Sequence, residues 1–231
     1  FFTEDAVELS IDTSTRYASV GVSDKGSLIR HCSWHSRYNH SVELLPTVES
    51  VLGLSKVDIR DIDCIIVALG PGGFSSLRVG LSTAKGFGLS LGIPIVGLNT
   101  LDIEAYPFRN QDLPVCTMLD VGRGEFATAI YLSGETGWNK VNEDRILSLP
   151  DIIDSTKIAT LFCGEGLLQI EAELKIGLSE LAVTTAQNMP TRHPATLSAL
   201  GFVKFVEGEL SDIYSMEPHY MRRPSITTRK Q

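Results

Sequence analysis

Two aspartates stand at the ends of apolar runs, each followed by a turn of small or polar residues: Asp12 in "SIDTST" and Asp120 in "MLDVGRG". A carboxylate at a strand end suits a hydrated magnesium ion and the phosphate of a nucleotide. The turn at Thr13 and Ser14, with Gly122 in the second turn, would then supply backbone amides as a small anion nest. The same residues equally suit a plain turn, in which an Asp side chain bonds its own backbone two residues on. A third stretch, "ALGPGGFSSLRVG" from Ala68 to Gly80, has the look of a phosphate loop. Gly70, Pro71, Gly72 and Gly73 permit a sharp turn off a strand, Ser75 or Ser76 is placed to cap the helix that follows, and the free amides of that helix could receive an anion. No Gly-Lys-Ser/Thr follows and the G-x-G-x-x-G spacing is absent. A structural loop, continuing into the helix through Arg78, is at least as good a reading.

Other chemistry is poorly supported. His31 and His35 lie four apart in a segment that reads as strand and turn, where that spacing does not converge. His40, His193 and His219 stand alone. There is no H-E-x-x-H, no G-x-S-x-G elbow between a strand and a helix ("GLSLG" at 88–92 sits at the end of a helix-like segment) and no cysteine with an evident histidine partner, so neither a bound metal nor a nucleophile is expected. The helix after the glycine loop is more telling. Gly80, Ala84 and Gly88 recur every four residues and leave one face nearly smooth, flanked by Leu77 and Leu81. A glycine costs a helix about 1 kcal/mol relative to alanine, so the stripe wants a reason, either close packing on its own sheet or contact with a partner helix.

The elements that must position these residues follow from periodicity. "VELSIDT", "YASVGVSD" and "SLIRHCSW" read as three strands joined by hairpin turns. "NHSVELLPTVESVLGL" carries Val42, Leu45, Val48 and Leu52 at helical spacing, with Asn39 or Ser41 as cap and Gly53 as stop. "DCIIVALG" is a continuous apolar strand of the kind buried on both faces; a second helix and the strand "PIVGLN" follow. The order is βββαβαβ. It repeats more loosely after a polar, proline-bearing break at Tyr106 to Pro114: strands at "PVCTMLD", "GEFATAIYLSG" and around "RILSLP", a short helix at "PDIIDSTK", a strand at "IATLFCGEG", a helix at "GLLQIEAELK" and a strand at "LAVTTA". "PATLSALGFVKFVEGEL" is a closing helix. Two similar α/β lobes facing a cleft are expected, at 7–108 and 109–223, the closing helix at about 194–210 belonging to the second and a basic tail at 224–231.

The totals narrow the function. At 231 residues, with 43% hydrophobic and 21% charged residues, the chain is an ordinary globular protein. A net charge of −8 disfavours a direct grip on a nucleic-acid backbone. Three of the four cysteines sit in apolar strand-like runs and read as buried free thiols in a reducing cytoplasm. With no leader-like opening and no long apolar segment, no membrane contact is expected.

The stretches "LSIDTSTRYASVGV", "NHSVELLPTVESVL", "ALGPGGFSSLRVGLSTAKGFGLSLGIPIVGLNTL", "LDVGRGEFATAIY" and "PHYMRR" resemble, in that order, the bacterial TsaB (YeaZ) family. In the most specific of them the family usually has Gly-Pro-Gly-Ser-Phe-Thr-Gly-Leu-Arg-Val-Gly; here Gly73 replaces the Ser, Ser75 the Thr and Ser76 the Gly. The resemblance implies an α/β, two-lobed actin/hsp70-like (ribonuclease H-type) fold of duplicated βββαβαβ lobes. It implies a non-catalytic dimerisation subunit in the making of threonylcarbamoyladenosine in tRNA, supporting a TsaD-type catalytic subunit, joined by a TsaE-type ATPase, and a homodimer when alone. The tRNA would be engaged indirectly. No cofactor is expected to be firmly bound, ATP and magnesium being admitted only at a complex interface, and no peptidase activity is expected. The family's interface implies that Val42, Leu45, Val48, Leu77, Gly80, Leu81, Ala84 and Gly88 face the partner. The rival reading is an independent ATP-dependent phosphotransferase using Asp12 and Asp120.

Overall fold

The computed structural model of the chain describes residues 5–37, 39–134, 137–184 and 191–222; the basic tail at 224–231 lies outside them. The chain begins as a meander of β1 (Val7–Asp12), β2 (Tyr17–Asp24) and β3 (Ser27–His35). Lys25 and Gly26 both take positive φ between β2 and β3, the two-residue hairpin whose twist matches that of the strands. Helix α1 (His40–Ser55) leads to β4 (Cys64–Gly70), then α2 (Phe74–Leu91) and β5 (Ile95–Asn99). The five strands form one sheet in the order β3-β2-β1-β4-β5, antiparallel through the meander and parallel from β1 onward.

Strand alternation divides the core of this lobe. Ile65 and Val67 of β4 pack with Leu9, Val20, Leu44, Val48 and Ala84 beneath α1 and α2. Their neighbours Cys64, Ile66 and Ala68 point the other way and pack with Leu197 and Phe205. The continuous apolar run of β4 is thus a strand covered on both faces, as its composition predicts.

A second sheet, β11-β10-β6-β7-β8, repeats the plan. It is built from β6 (Val115–Asp120), β7 (Glu125–Gly134), β8 (Gly137–Lys140), β9 (Arg145–Ser148), β10 (Thr160–Cys163) and β11 (Ala182–Thr184), with β9 also pairing β7. The third strand of the repeat is therefore split in two, and β8 carries no sequence signal strong enough to predict it. Helices α4 (Leu149–Ser155) and α5 (Leu167–Leu178) cover the outer face through Ile152, Leu167 and Leu174. A short helix α3 (Thr100–Ala105), also unpredicted, joins the lobes. Its Leu101 and Ala105 pack on the second sheet and its Ile103 on the first. The two-sheet, mixed α/β architecture is the actin/hsp70-like arrangement expected. No described helix is long and apolar enough to cross a membrane.

Three expectations need correction. The closing helix α6 (Pro194–Val206) belongs by packing to the first lobe rather than the second: it lies across the first sheet, with Leu197 and Phe205 in the core there. Gly201 permits this, since a Cβ at that position would run into the Ile66 side chain. Helix α1 passes through Gly53 and ends at Ser55, with Lys56 as its left-handed cap. The smooth stripe of α2 does not face outward. Leu77, Gly80, Leu81, Ala84 and Gly88 are all buried, and a Cβ on Gly80 would meet the Thr13 hydroxyl while one on Gly88 would meet Ile95 and Ile213. The missing side chains let α2 lie close on its own sheet.

Burial also decides the thiols. It pushes Cys64 and Cys116 up to about 12 and raises Cys163, which leaves them unreactive. His193, the cap of α6, accepts a hydrogen bond at Nδ1 from Ala195 N at 3.1 Å and packs edge-on against His31 at 4.9 Å. Burial first, and His31 second, hold its pKa below the usual histidine value.

Two outcomes follow. Ala84→Trp should overpack the helix–sheet seam and lower unfolding stability by roughly 1–3 kcal/mol, read as a shifted urea midpoint; an unshifted midpoint would mean the stripe is free. Because His193 is held neutral in the folded state, its contribution is intact above pH 6.5 and is lost as pH falls below that value toward the depressed folded pKa. Between pH 7.5 and 5.5 the wild type should therefore lose more stability than His193→Asn, which keeps a capping side chain that does not titrate. Parallel pH profiles would contradict this.

Candidate functional site

The β1–β2 turn, the glycine loop and the second-lobe loop "CGEG" meet at the inter-lobe cleft. A cavity of about 690 Å³ opens there, lined by Ser14, Thr15, His40, Gly73, Asp120 and Glu165 among others. A larger one of about 740 Å³ lies on the second lobe between β7, β9, β10 and α4, away from these carboxylates.

The two aspartates that the sequence pairs are engaged separately within the chain. Asp12 is buried at the end of β1. Its Oδ1 accepts from the Ser14 amide at 2.7 Å and the Ser14 hydroxyl at 2.6 Å, closing the turn, and its Oδ2 accepts from Arg192 Nε at 2.9 Å. Asp120 is exposed, and its Oδ1 accepts from the Gly122 amide at 2.7 Å. Both therefore do what a turn aspartate does. Among the described residues no cluster of His, Cys, Asp and Glu could hold a metal ion.

The glycine loop is likewise engaged within the chain. Gly73 N donates to Ser14 O at 2.8 Å, and Thr13 Oγ1 donates to Ser76 O at 2.7 Å. A Cβ on Gly72 would collide with Ser14 O, so glycine there lets two turns touch. The helix cap is Gly73, not Ser75 or Ser76; the Ser76 hydroxyl bonds back to Gly73 O. Gly70 holds φ at 112° with His219 O close above it, and His219 N donates to Leu69 O at 2.7 Å. Arg78 lies over the Phe74 ring at 3.9 Å and donates to Tyr220 Oη at 2.9 Å. Loop and helix start thus fasten the segment after α6 to the first lobe.

Buried behind the cleft residues Thr15, Tyr17 and Glu165 is Arg192, whose side chain is 1% exposed. Besides Asp12, its Nη1 donates to Glu104 Oε1 at 2.8 Å and Glu165 Oε2 at 3.0 Å, and its Nη2 to Thr15 Oγ1 at 2.6 Å and Tyr17 O at 3.3 Å. Thr15 Oγ1 in turn donates to Glu165 Oε2 at 2.8 Å. Each partner has a local reason to be there. Asn99 caps α3 by accepting from Leu101 N at 2.8 Å, which fixes the helix bearing Glu104. In "CGEG", Gly164 takes φ of 105°, a region closed to most residues, and Gly166 N donates to Met118 O at 2.8 Å. The loop therefore folds over the end of β6 and turns Glu165 inward. Burial raises the pKa of Glu104 against the pull of Arg192, while the three carboxylates keep Arg192 cationic although burial opposes its charge.

Sequence reasoning finds none of Arg192, Glu104 or Glu165. They lie in "TRHP", "DIEA" and "CGEG", which match no motif, and Arg192 meets Asp12 across 180 positions. The expected interface residues separate into two groups. Val42 and Leu45 of α1 are 71% and 53% exposed, whereas Val48 joins the α2 stripe in the core. Leu54 of α1 and Leu89 of α2 are exposed as well.

The family model described as TsaD, tRNA N6-adenosine threonylcarbamoyltransferase, matches residues 35–201, more than half of the chain. The tRNA threonylcarbamoyladenosine biosynthesis protein TsaB of Bacillus subtilis is 29% identical over 219 residues, covering 93% of both proteins. The protein of the same name from Escherichia coli is 30% identical over 148 residues, 63% of each. Among solved structures, YeaZ from Pseudomonas aeruginosa superposes with a TM-score of 0.74 at 21% identity, covering 94% of this chain and all of that one. The fold, the family model and the nearly end-to-end relatives agree, and the chain belongs to the TsaD-type family, within it to the TsaB/YeaZ group.

Proposed function

We propose that this chain serves in tRNA threonylcarbamoyladenosine biosynthesis as a non-catalytic subunit that binds and supports a TsaD-type catalytic subunit. The observation that carries the reading is the match to TsaB relatives along almost the whole chain. The cleft supports it from the chemical side. Asp12, the residue best placed to hold a magnesium ion, is spent on Ser14 and Arg192, and the Gly73 amide on Ser14. The same engagements weigh against an independent phosphotransferase.

The partner surface follows from exposure. It is the outer face of α1 and α2, with Val42 and Leu45 of α1 as apolar anchors and Leu89 exposed on α2. Exposed apolar side chains grouped on adjacent helices mark interaction sites more often than scattered ones do. In the absence of the catalytic subunit the same face pairs two copies of the chain. A TsaE-type ATPase joins the assembled pair, and the tRNA is held chiefly by the catalytic subunit, since the net charge of −8 gives this chain little purchase on phosphates.

Two measurements test this. The double variant Val42→Asp/Leu45→Asp should weaken binding to a TsaD-type subunit by roughly tenfold or more, with an unchanged melting temperature because both side chains are exposed. Titration calorimetry of variant and wild type reads this directly, and undiminished affinity would place the interface elsewhere. Calorimetry of the isolated chain with ATP and magnesium should find no stoichiometric micromolar site. A site that vanishes in Asp12→Ala would favour the phosphotransferase instead.

A further inference from the structure

Arg192 is bonded through every N–H of its guanidinium, and its partners come from three separate stretches of chain. Asp12, Thr15 and Tyr17 belong to the β1–β2 hairpin of the first lobe. Glu104 lies on α3, between the lobes. Glu165 comes from the second lobe. Arg192 itself immediately precedes α6, which is packed on the first sheet. The cluster extends through Thr191 Oγ1, which donates to Glu104 Oε1 at 2.8 Å, and through Glu165 N, which donates to the same oxygen at 3.2 Å.

Three carboxyl groups converge on one guanidinium around a buried point. Without the cation, Asp12, Glu104 and Glu165 would repel one another where water screens poorly. The repulsion acts across the lobe boundary, because Glu165 sits on one side and Asp12 on the other. On the opposite side of α3 a second set spans the same boundary: Lys140 bonds Asp102 at 2.9 Å and Asp144 at 2.7 Å, Tyr131 donates to Asp102 at 2.6 Å, and Asn99 donates to Asp144 at 2.6 Å. That set holds α3 to the second lobe, and His219 Nε2 also reaches Asp144 at 3.0 Å; the arginine cluster bridges the lobes at the β1–β2 turn.

We infer that Arg192 is a built-in cation that clamps the two lobes in one arrangement from within the cleft, so that no bound ligand is needed to set the cleft's width. The clamp is a property of the whole chain. The cation is delivered by the segment that enters α6, and it is neutralised by residues of both lobes and the helix between them.

The test uses the full-length protein. Arg192→Ala removes the cation and leaves a cavity the size of a guanidinium. Breaking a buried ion pair on one side should lower the melting temperature by roughly 10 °C. Amide exchange at residues 13–17 and 163–166 should accelerate by roughly tenfold or more, ahead of strands β4 and β6. Methylguanidinium at low millimolar concentration should recover part of the lost melting temperature in Arg192→Ala, but none in Ala84→Trp, whose defect lies elsewhere. Unchanged exchange in both loops, or equal recovery in the two variants, would overturn the inference. Should Arg192→Ala fail to fold, Glu165→Gln removes only the charge of the leg from the second lobe. It should speed exchange in the same two loops with a smaller loss of melting temperature, and exchange like that of wild type there would overturn the clamp.

Discussion

A guanidinium withdrawn from water is tolerated only where its hydrogen bonds and its charge are both met, because the desolvation penalty is several kcal/mol before any compensation. Arg192 meets that condition with donors to Asp12, Glu104, Glu165, Thr15 and Tyr17. Much of the architecture can be understood as what is required to bring those groups together. The β1–β2 turn must close on Ser14, α3 must be capped at Asn99, and "CGEG" must fold back over β6 through the positive φ of Gly164. The chain must also return to the first lobe after completing the second, which α6 accomplishes.

That return gives the molecule its layering. Helices α3 and α6 lie between the two sheets, α1 and α2 cover the outer face of the first, and α4 and α5 that of the second. The segment after α6 continues the attachment through Met216, His219 and Tyr220, which reach the first-lobe core, the glycine loop and Arg78. Residues from the C-terminal fifth of the chain therefore stabilise the N-terminal lobe. A cut between the two sequence repeats would strip the first sheet of one of its covering helices.

The same economy of contact bears on function. Small residues on α2 are consumed in packing, so the apolar surface left for a partner is set by residues that point away from the sheet, Val42 and Leu45 foremost. Beneath the cleft a buried residue of the chain, Arg192, engages carboxyl groups from both lobes. Both features fit a subunit whose contribution is a surface and a stable shape.

The sequence by itself determined most of the elements and their order, though not α3 or β8. The alternation in β2, the continuous apolar run of β4 and the helical spacing of α1 are local signals, because burial of one face leaves its period in the residue types. The duplication of the lobes was legible for the same reason, although the split of the third strand into β8 and β9 was not: each is four residues long and neither has a fully buried residue. The resemblance of "GPGGFSSLRVG" and its companion stretches carried the family. Tertiary structure alone decided which way surfaces face and which charges meet. A Gly80, Ala84, Gly88 stripe looks the same in sequence whether it lies against a sheet or a partner. Asp12 reads as a metal ligand until an arginine 180 positions away takes its second oxygen. Burial and pairing at such separations depend on where the chain returns to, and no residue's type or spacing records that.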